Sequence, residues 1–214
     1  MMDTAVIDIS MPLEEGLPVW PGSPGMSCKP IMRIADGDPV NSSCLEMDVH
    51  CGTHIDAPLH FFRTGPAVDE IPLSNLNGAA WVADCGDSAE VDRNLLEKSG
   101  IPEDTLRLLL KTRNSVMSIN REAGFSENYC ALTPDAADWV TERGLKLVGI
   151  DYLSIQRFQD PPDVHLKLLS AEVTILEGLV MASAPEGPCE LVCLPILIPG
   201  AEAAPARAMI RVPS

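Results

Sequence analysis

The chain has 214 residues, 46% of them hydrophobic and 21% charged, with a formal net charge of −16. That length and polarity suit a folded body with its own core, and so acidic a surface excludes ready binding to nucleic-acid phosphates or anionic lipid. Aromatics make up only 4%, so the core must be aliphatic, and no apolar run approaches the roughly 20 residues of a membrane-spanning helix.

The start, Met1 to Ala5, lacks the basic and apolar stretches of a secretion signal. The seven cysteines are dispersed, odd in number and without a CxxC pair, which predicts reduced thiols and a cytoplasmic protein. Ala5 to Ser10 reads as a strand. Residues 12–24 hold four prolines and read as an ordered loop or an N-terminal Pro/Gly-rich arm (about residues 11–30) on a single domain spanning 1–214. Trp20, inside this arm, must cover either the core or a cleft, where it would be a substrate-binding residue. Cys44 to Val49, Ala79 to Cys85 and Leu106 to Leu110 read as strands. Thr133-Pro134-Asp135 starts a helix, with Thr133 as its cap, that stops at Gly144. A buried strand, Leu145 to Ile150, follows. A helix from Asp163 ends before a strand at Val173 to Leu176, and Cys189 to Ile198 and Ala208 to Val212 close the chain. Many short strands and few helices point to an α/β or α+β domain with a mixed sheet.

The chemistry concentrates in one place. Three of the four histidines lie within the eleven residues His50-Cys51-Gly52-Thr53-His54-Ile55-Asp56-Ala57-Pro58-Leu59-His60. Gly52 allows a close bend and Pro58 forbids a helix through Asp56, so a bent loop is expected to turn His50, His54 and Asp56 toward one point. Two imidazoles and a carboxylate make an open divalent-metal site with room for water and substrate. Zn²⁺ brings the pKa of water to about 7, and a nearby imidazole that is not a ligand, His60, can then move protons. His165 and Glu177 are each weaker signals: a satisfied core histidine and a salt-bridged acid would be the default. Cys51, beside a ligand, has a packed bystander as its simplest role, with a soft ligand or a nucleophile as the others.

The eleven-residue segment closely resembles the HxGTHxDxPxH signature of the cyclase family of metal-dependent hydrolases, which includes kynurenine formamidases (arylformamidases) and isatin hydrolases. The resemblance extends through Asp8 to Leu13, Trp20-Pro21-Gly22, Leu110 to Arg113, Gly149-Ile150-Asp151, Ile175 to Leu179, Leu194-Pro195 and Ala204 to Ala208. It implies an α/β fold of the swivelling β/β/α kind, a homodimer or larger assembly, and hydrolysis of an aryl formamide or cyclic amide. It further implies that His50, His54 and Asp56 bind a first ion, zinc or else manganese. Asp56 would bridge to a second ion held by His165 and Glu177, with His60 as acid/base. Two departures stand out. Kynurenine formamidases tend to carry paired histidines where this chain has Val164-His165, and Gly-Ile-Asp-Thr-Pro-Ser where it has Gly149-Ile150-Asp151-Tyr152-Leu153-Ser154. A lactone or ester hydrolase and a non-catalytic metal-binding protein are the alternatives.

Overall fold

A computed structural model describes residues 4–115 and 124–213. Its strands are β1 (Thr4–Asp8), β2 (Met26–Met32), β3 (Ser42–Met47), β4 (His54–Asp56), β5 (Asn77–Asp84), β6 (Arg107–Lys111), β7 (Leu147–Ile150), β8 (Thr174–Glu177), β9 (Gly187–Pro195) and β10 (Ala203–Pro213). The α-helices among the described residues are α1 (Leu73–Leu76), α2 (Arg93–Lys98), α3 (Pro134–Glu142) and α4 (Asp163–Ser170). Among the described residues, no helix is long and apolar enough to cross a membrane.

Seven strands form a closed mixed sheet in the order β10-β4-β8-β7-β6-β5-β9, with β9 returning to β10. The long β10 makes closure possible. One edge pairs first with β4, through Ala203 to Pro205, and then with β1, through Met209 to Pro213. The other edge pairs with β9 from Ala206 to Arg211. The run β5-β6-β7-β8 is parallel and its connections carry α2, α3 and α4, so these strands are covered on both faces. That explains why β6, β7 and β8 read as unbroken apolar runs in the sequence. Side chains alternate between two cores. Leu109, Leu147 and Leu176 fill the sheet's interior with Ile55, Val82 and Ile210. Leu108, Leu110, Val148, Ile150 and Ile175 pack outward against Trp139, Val140 and Leu168 of the helices.

Several elements differ from expectation. The chain through His54 to Asp56 is a short strand, not a loop. Thr133 precedes α3 but gives its backbone no side-chain cap; its hydroxyl instead donates to the Val91 carbonyl at 3.2 Å and pairs with Asp135. β10 begins five residues before the expected Ala208, its first half being small residues and Pro205 that carry no strand signal. β2 has no counterpart in the sequence reading. It contains Pro30, pairs only with β3, and shifts register between Pro30 and Met32, as an edge strand tolerates.

Candidate metal centre

The strand β4 puts its own ligands on one face. In the antiparallel register His54 stands opposite Glu177 and Ile55 opposite Leu176. Ile55 and Leu176 point into the closed sheet, so the two-residue period sends His54, Asp56 and Glu177 to the opposite, helix-covered side. There His54 Nε2 lies 3.4 Å from Glu177 Oε2 and 3.6 Å from Asp56 Oδ1. His50, in the preceding turn, brings Nδ1 to 3.1 Å from Asp56 Oδ1. His60 ends a 3₁₀ turn, Pro58–His60, and its ring centroid is 4.1 Å from that of His50. His165 comes from α4, with Nε2 3.3 Å from Glu177 Oε1 and 3.9 Å from Asp56 Oδ2. All six predicted ligand and acid/base residues therefore converge. Trp20 joins a different group. Its ring packs edge-on against Phe125 at 5.1 Å and Phe158 at 5.2 Å, beside the stacked Tyr129 and Tyr152.

The donor atoms fit a cation. His54 Nε2 and both oxygens of Asp56 are shielded from solvent and make no hydrogen bond. Such groups normally find partners. His54 Nδ1 is 2.9 Å from the Gly52 carbonyl, which can only accept, so Nδ1 holds a proton and Nε2 is the nitrogen whose lone pair, once deprotonated, can face a cation beside the two carboxylates. Sorted by distance, the donors form two overlapping sets: His50, Asp56 and His60, and His54, Asp56 and Glu177, each with its atoms within 4.8 Å of one another. Nitrogen and oxygen donors of this kind suit a divalent ion such as zinc or manganese.

Without an ion, protons balance the charge. Burial opposes a charged His54, but its contact with Glu177 and the charge of Asp56 outweigh this and raise its pKa to about 9. His50 is raised in the same way, its approach to Asp56 overcoming burial. Burial pushes Asp56 up, yet His50 and His54 hold it well below the usual carboxylate range. Glu177 is lowered too, because His165 and His54 outweigh burial and the Asp56 charge. His60 goes the other way. Burial, with the charges of His50 and His165, lowers its pKa despite Asp56 and Glu177, leaving a neutral imidazole that can accept a proton. The buried Cys51 thiol is pushed up to about 11 by burial and then by Asp48, which keeps it protonated.

Close backbone approach holds β4 against β8. Gly52 and Gly178 both have positive φ, 68° and 69°, and a side chain at Gly178 would overlap the Gly52 carbonyl. Thr53 Oγ1 donates to the Gly178 carbonyl at 2.6 Å and accepts from Met11 N at 2.7 Å, tying in the N-terminal arm. Glu177 Oε1 accepts Ile155 N at 2.7 Å. Three further residues at the site escaped the sequence reading. Glu202 Oε1 lies 3.8 Å from His50 Nε2, the Phe61 ring stacks on His165 at 4.5 Å, and Gln156 reaches His165 Nδ1 at 3.3 Å. Phe61 could have been found as the neighbour of His60; nothing in the sequence distinguishes Glu202 or Gln156.

Comparison with known proteins agrees with this geometry. The family model "Putative cyclase" matches residues 7–157, well over half of the chain. The chain belongs to the cyclase family. His165 and Glu177 lie beyond the matched stretch. A solved structure described as a "potential metal-dependent hydrolase with cyclase activity" is 34% identical, covers 98% of each chain and superposes with a TM-score of 0.83. The "predicted metal-dependent hydrolase from Bacillus stearothermophilus" gives the same values. Isatin hydrolase A from Labrenzia aggregata, 24% identical over 99% of this chain and 94% of its own, has a TM-score of 0.86 and shares the fold.

Proposed function

We propose that this chain is a metal-dependent hydrolase that directs water at the carbonyl of an aryl formamide or cyclic amide and cleaves its C–N bond. The observation that carries the proposal is the convergence of buried donors without hydrogen bonds, His54 Nε2 and both Asp56 oxygens, on the side of the sheet that also holds His50, His60, His165 and Glu177. The two relatives at 34% identity, described as metal-dependent hydrolases, support the same class. His50, His54, Asp56, His165 and Glu177 would hold one or two divalent ions, zinc first and manganese as the other choice. When bound, such an ion polarises a carbonyl and makes water acidic enough to react at neutral pH.

The protein's own groups do the rest. The Gly52 carbonyl fixes the His54 ring. The two carboxylates supply negative charge where a cation is to sit. His60, neutral and half-buried, takes a proton from the attacking water on an imidazole nitrogen and returns it to the departing nitrogen. Trp20, in an aromatic group with Phe125 and Phe158, is the residue assigned to contact the substrate's aryl ring. The working form is a homodimer or larger assembly, which sedimentation would read directly.

Metal content and turnover on formanilides, cyclic amides and aryl lactones test the proposal together. His60→Ala should keep its metal and lose about 10²–10⁴-fold in kcat. His54→Ala should lose both metal and activity. Metal loss in His60→Ala would make His60 a ligand, consistent with its place in the set with His50 and Asp56. Turnover confined to the lactones would move the protein to the ester hydrolases. Stoichiometric metal with no turnover on any substrate would make it a binding protein, and no metal after reconstitution would end the proposal.

A further inference from the structure

We propose that Gln156 is a positioning residue for the metal centre: its side-chain amide holds the His165 ring in the tautomer that presents Nε2 toward Glu177 and Asp56. The inference rests on the metal-dependent reading above and adds a residue to it.

The partners of the amide identify its two ends. The backbone N–H groups of Val164 and His165 both reach one atom of the Gln156 side chain, at 3.1 and 3.3 Å. Backbone N–H groups only donate, so that atom is the carbonyl oxygen, Oε1. The other end, Nε2, donates to the Asp160 carbonyl at 3.3 Å. The Gln156 backbone is anchored as well, its N–H donating to Ser154 Oγ and its carbonyl accepting from the Tyr129 hydroxyl. Gln156 is 8% exposed, so water does not compete freely for these positions.

His165 Nδ1 lies 3.3 Å from the same Oε1. Both ring nitrogens face acceptors, since Nε2 lies the same 3.3 Å from Glu177 Oε1; with the neutral ring's hydrogen on Nδ1 and donated to the amide, Nε2 is left for a cation. The neutral ring then has its lone pair on Nε2, the nitrogen 3.3 Å from Glu177 Oε1 and 3.9 Å from Asp56 Oδ2. Lone pairs there confront carboxylate lone pairs, an arrangement suited to a cation between them. Phe61, stacked at 4.5 Å, restrains the ring from the side. One oxygen serves both the helix and the ring. The residue before α4 is Pro162, which gives the helix no side-chain cap, and Gln156 supplies the acceptor from outside the helix. Because the acceptor is an amide, it orients the imidazole without adding a third negative charge beside Asp56 and Glu177.

The test combines calorimetric zinc titration of the full chain with ¹⁵N NMR of its histidine rings in metal-free protein, at a pH where the rings are neutral. In the wild type, His165 should show hydrogen on Nδ1. Gln156→Leu, which cannot accept, should lose that tautomer and weaken one equivalent of zinc about 10–100-fold. Gln156→Glu keeps an acceptor and should retain the tautomer and bind zinc at least as tightly as wild type. Leu168→Ala, on the same helix but away from the amide, should lower thermal stability and leave zinc affinity near wild type. A wild-type ring with hydrogen on Nε2 would overturn the proposal. So would unchanged affinity in Gln156→Leu, weakening in Gln156→Glu, or equal weakening in Leu168→Ala. If Gln156→Leu does not fold, the wild-type NMR and Gln156→Glu decide alone. If the wild type binds no zinc, the metal-dependent reading fails, while the ring NMR still settles the Gln156 arrangement.

Discussion

Asp56 belongs to both candidate ligand sets, and its neighbours show how protons and metal compete for one space. In the metal-free protein His54, raised to about 9, keeps Nε2 protonated at neutral pH between Asp56 and Glu177. A metal needs that lone pair, so loading must expel the proton. Below the His54 pKa the proton is bound and must leave; above it, it has already gone. Zinc titration in buffers of different ionisation enthalpy should therefore detect more protons released at about pH 7 than at about pH 10. Equal release at both would mean that His54 is not displaced by metal. The same residues explain what could be read from the sequence. His50, His54, Asp56 and His60 were legible because they are contiguous and chemically unusual. His165 and Glu177 gave no such signal by themselves; the resemblance named them, and pairing of β4 with β8 and the placement of α4 bring them in. Gln156 was invisible, since a glutamine's partners are decided by three-dimensional arrangement alone.

At the level of elements, the pairing of β4 with β8 is the structure on which the centre depends, and two glycines permit it. Gly178 has φ 69°, and a Cβ there would collide with the Gly52 carbonyl and crowd Thr53. Gly178→Ala should cost at least about 3 kcal/mol, from the left-handed backbone and the forced separation of the strands. It should also weaken metal binding. Gly37 has a positive φ but open space around it, so Gly37→Ala should cost only about 1–2 kcal/mol and leave metal affinity alone. Denaturant unfolding of the two variants, with zinc titration, makes the comparison. Equal effects would mean that the close approach is unimportant. Gly52 forms the bend its sequence context predicts, whereas β4 carries no strand signal because three residues between a turn and Pro58 are too few for a periodic pattern. The parallel strands were legible for the opposite reason: burial on both faces leaves an apolar run that no loop would carry. β2 was lost to its polar composition and to Pro30, both of which argue against a strand unless it lies at an edge.

For the whole molecule, the acidic surface and the metal centre are compatible, because the centre's carboxylates are buried with histidines while the excess negative charge faces water. The hairpin of β2 and β3 departs from the general economy of burial. Most of its residues are exposed, including Ile31 and Leu45. Closure of the sheet has a further consequence, for the order of events in folding. Thr53 bonds to Gly178, 125 residues away, and β4 also pairs with the start of β10, later still. A nascent chain thus carries its histidine-rich segment long before the strands that flank it exist. Contacts of such sequence separation form slowly, because the loop must close before any pairing compensates. The metal pocket should accordingly be absent from the folding transition state and complete only in the native state. Saturating zinc should slow unfolding in stopped-flow experiments in proportion to its affinity and leave the refolding rate unchanged. Faster refolding in zinc would show that the histidine segment captures metal before the sheet closes.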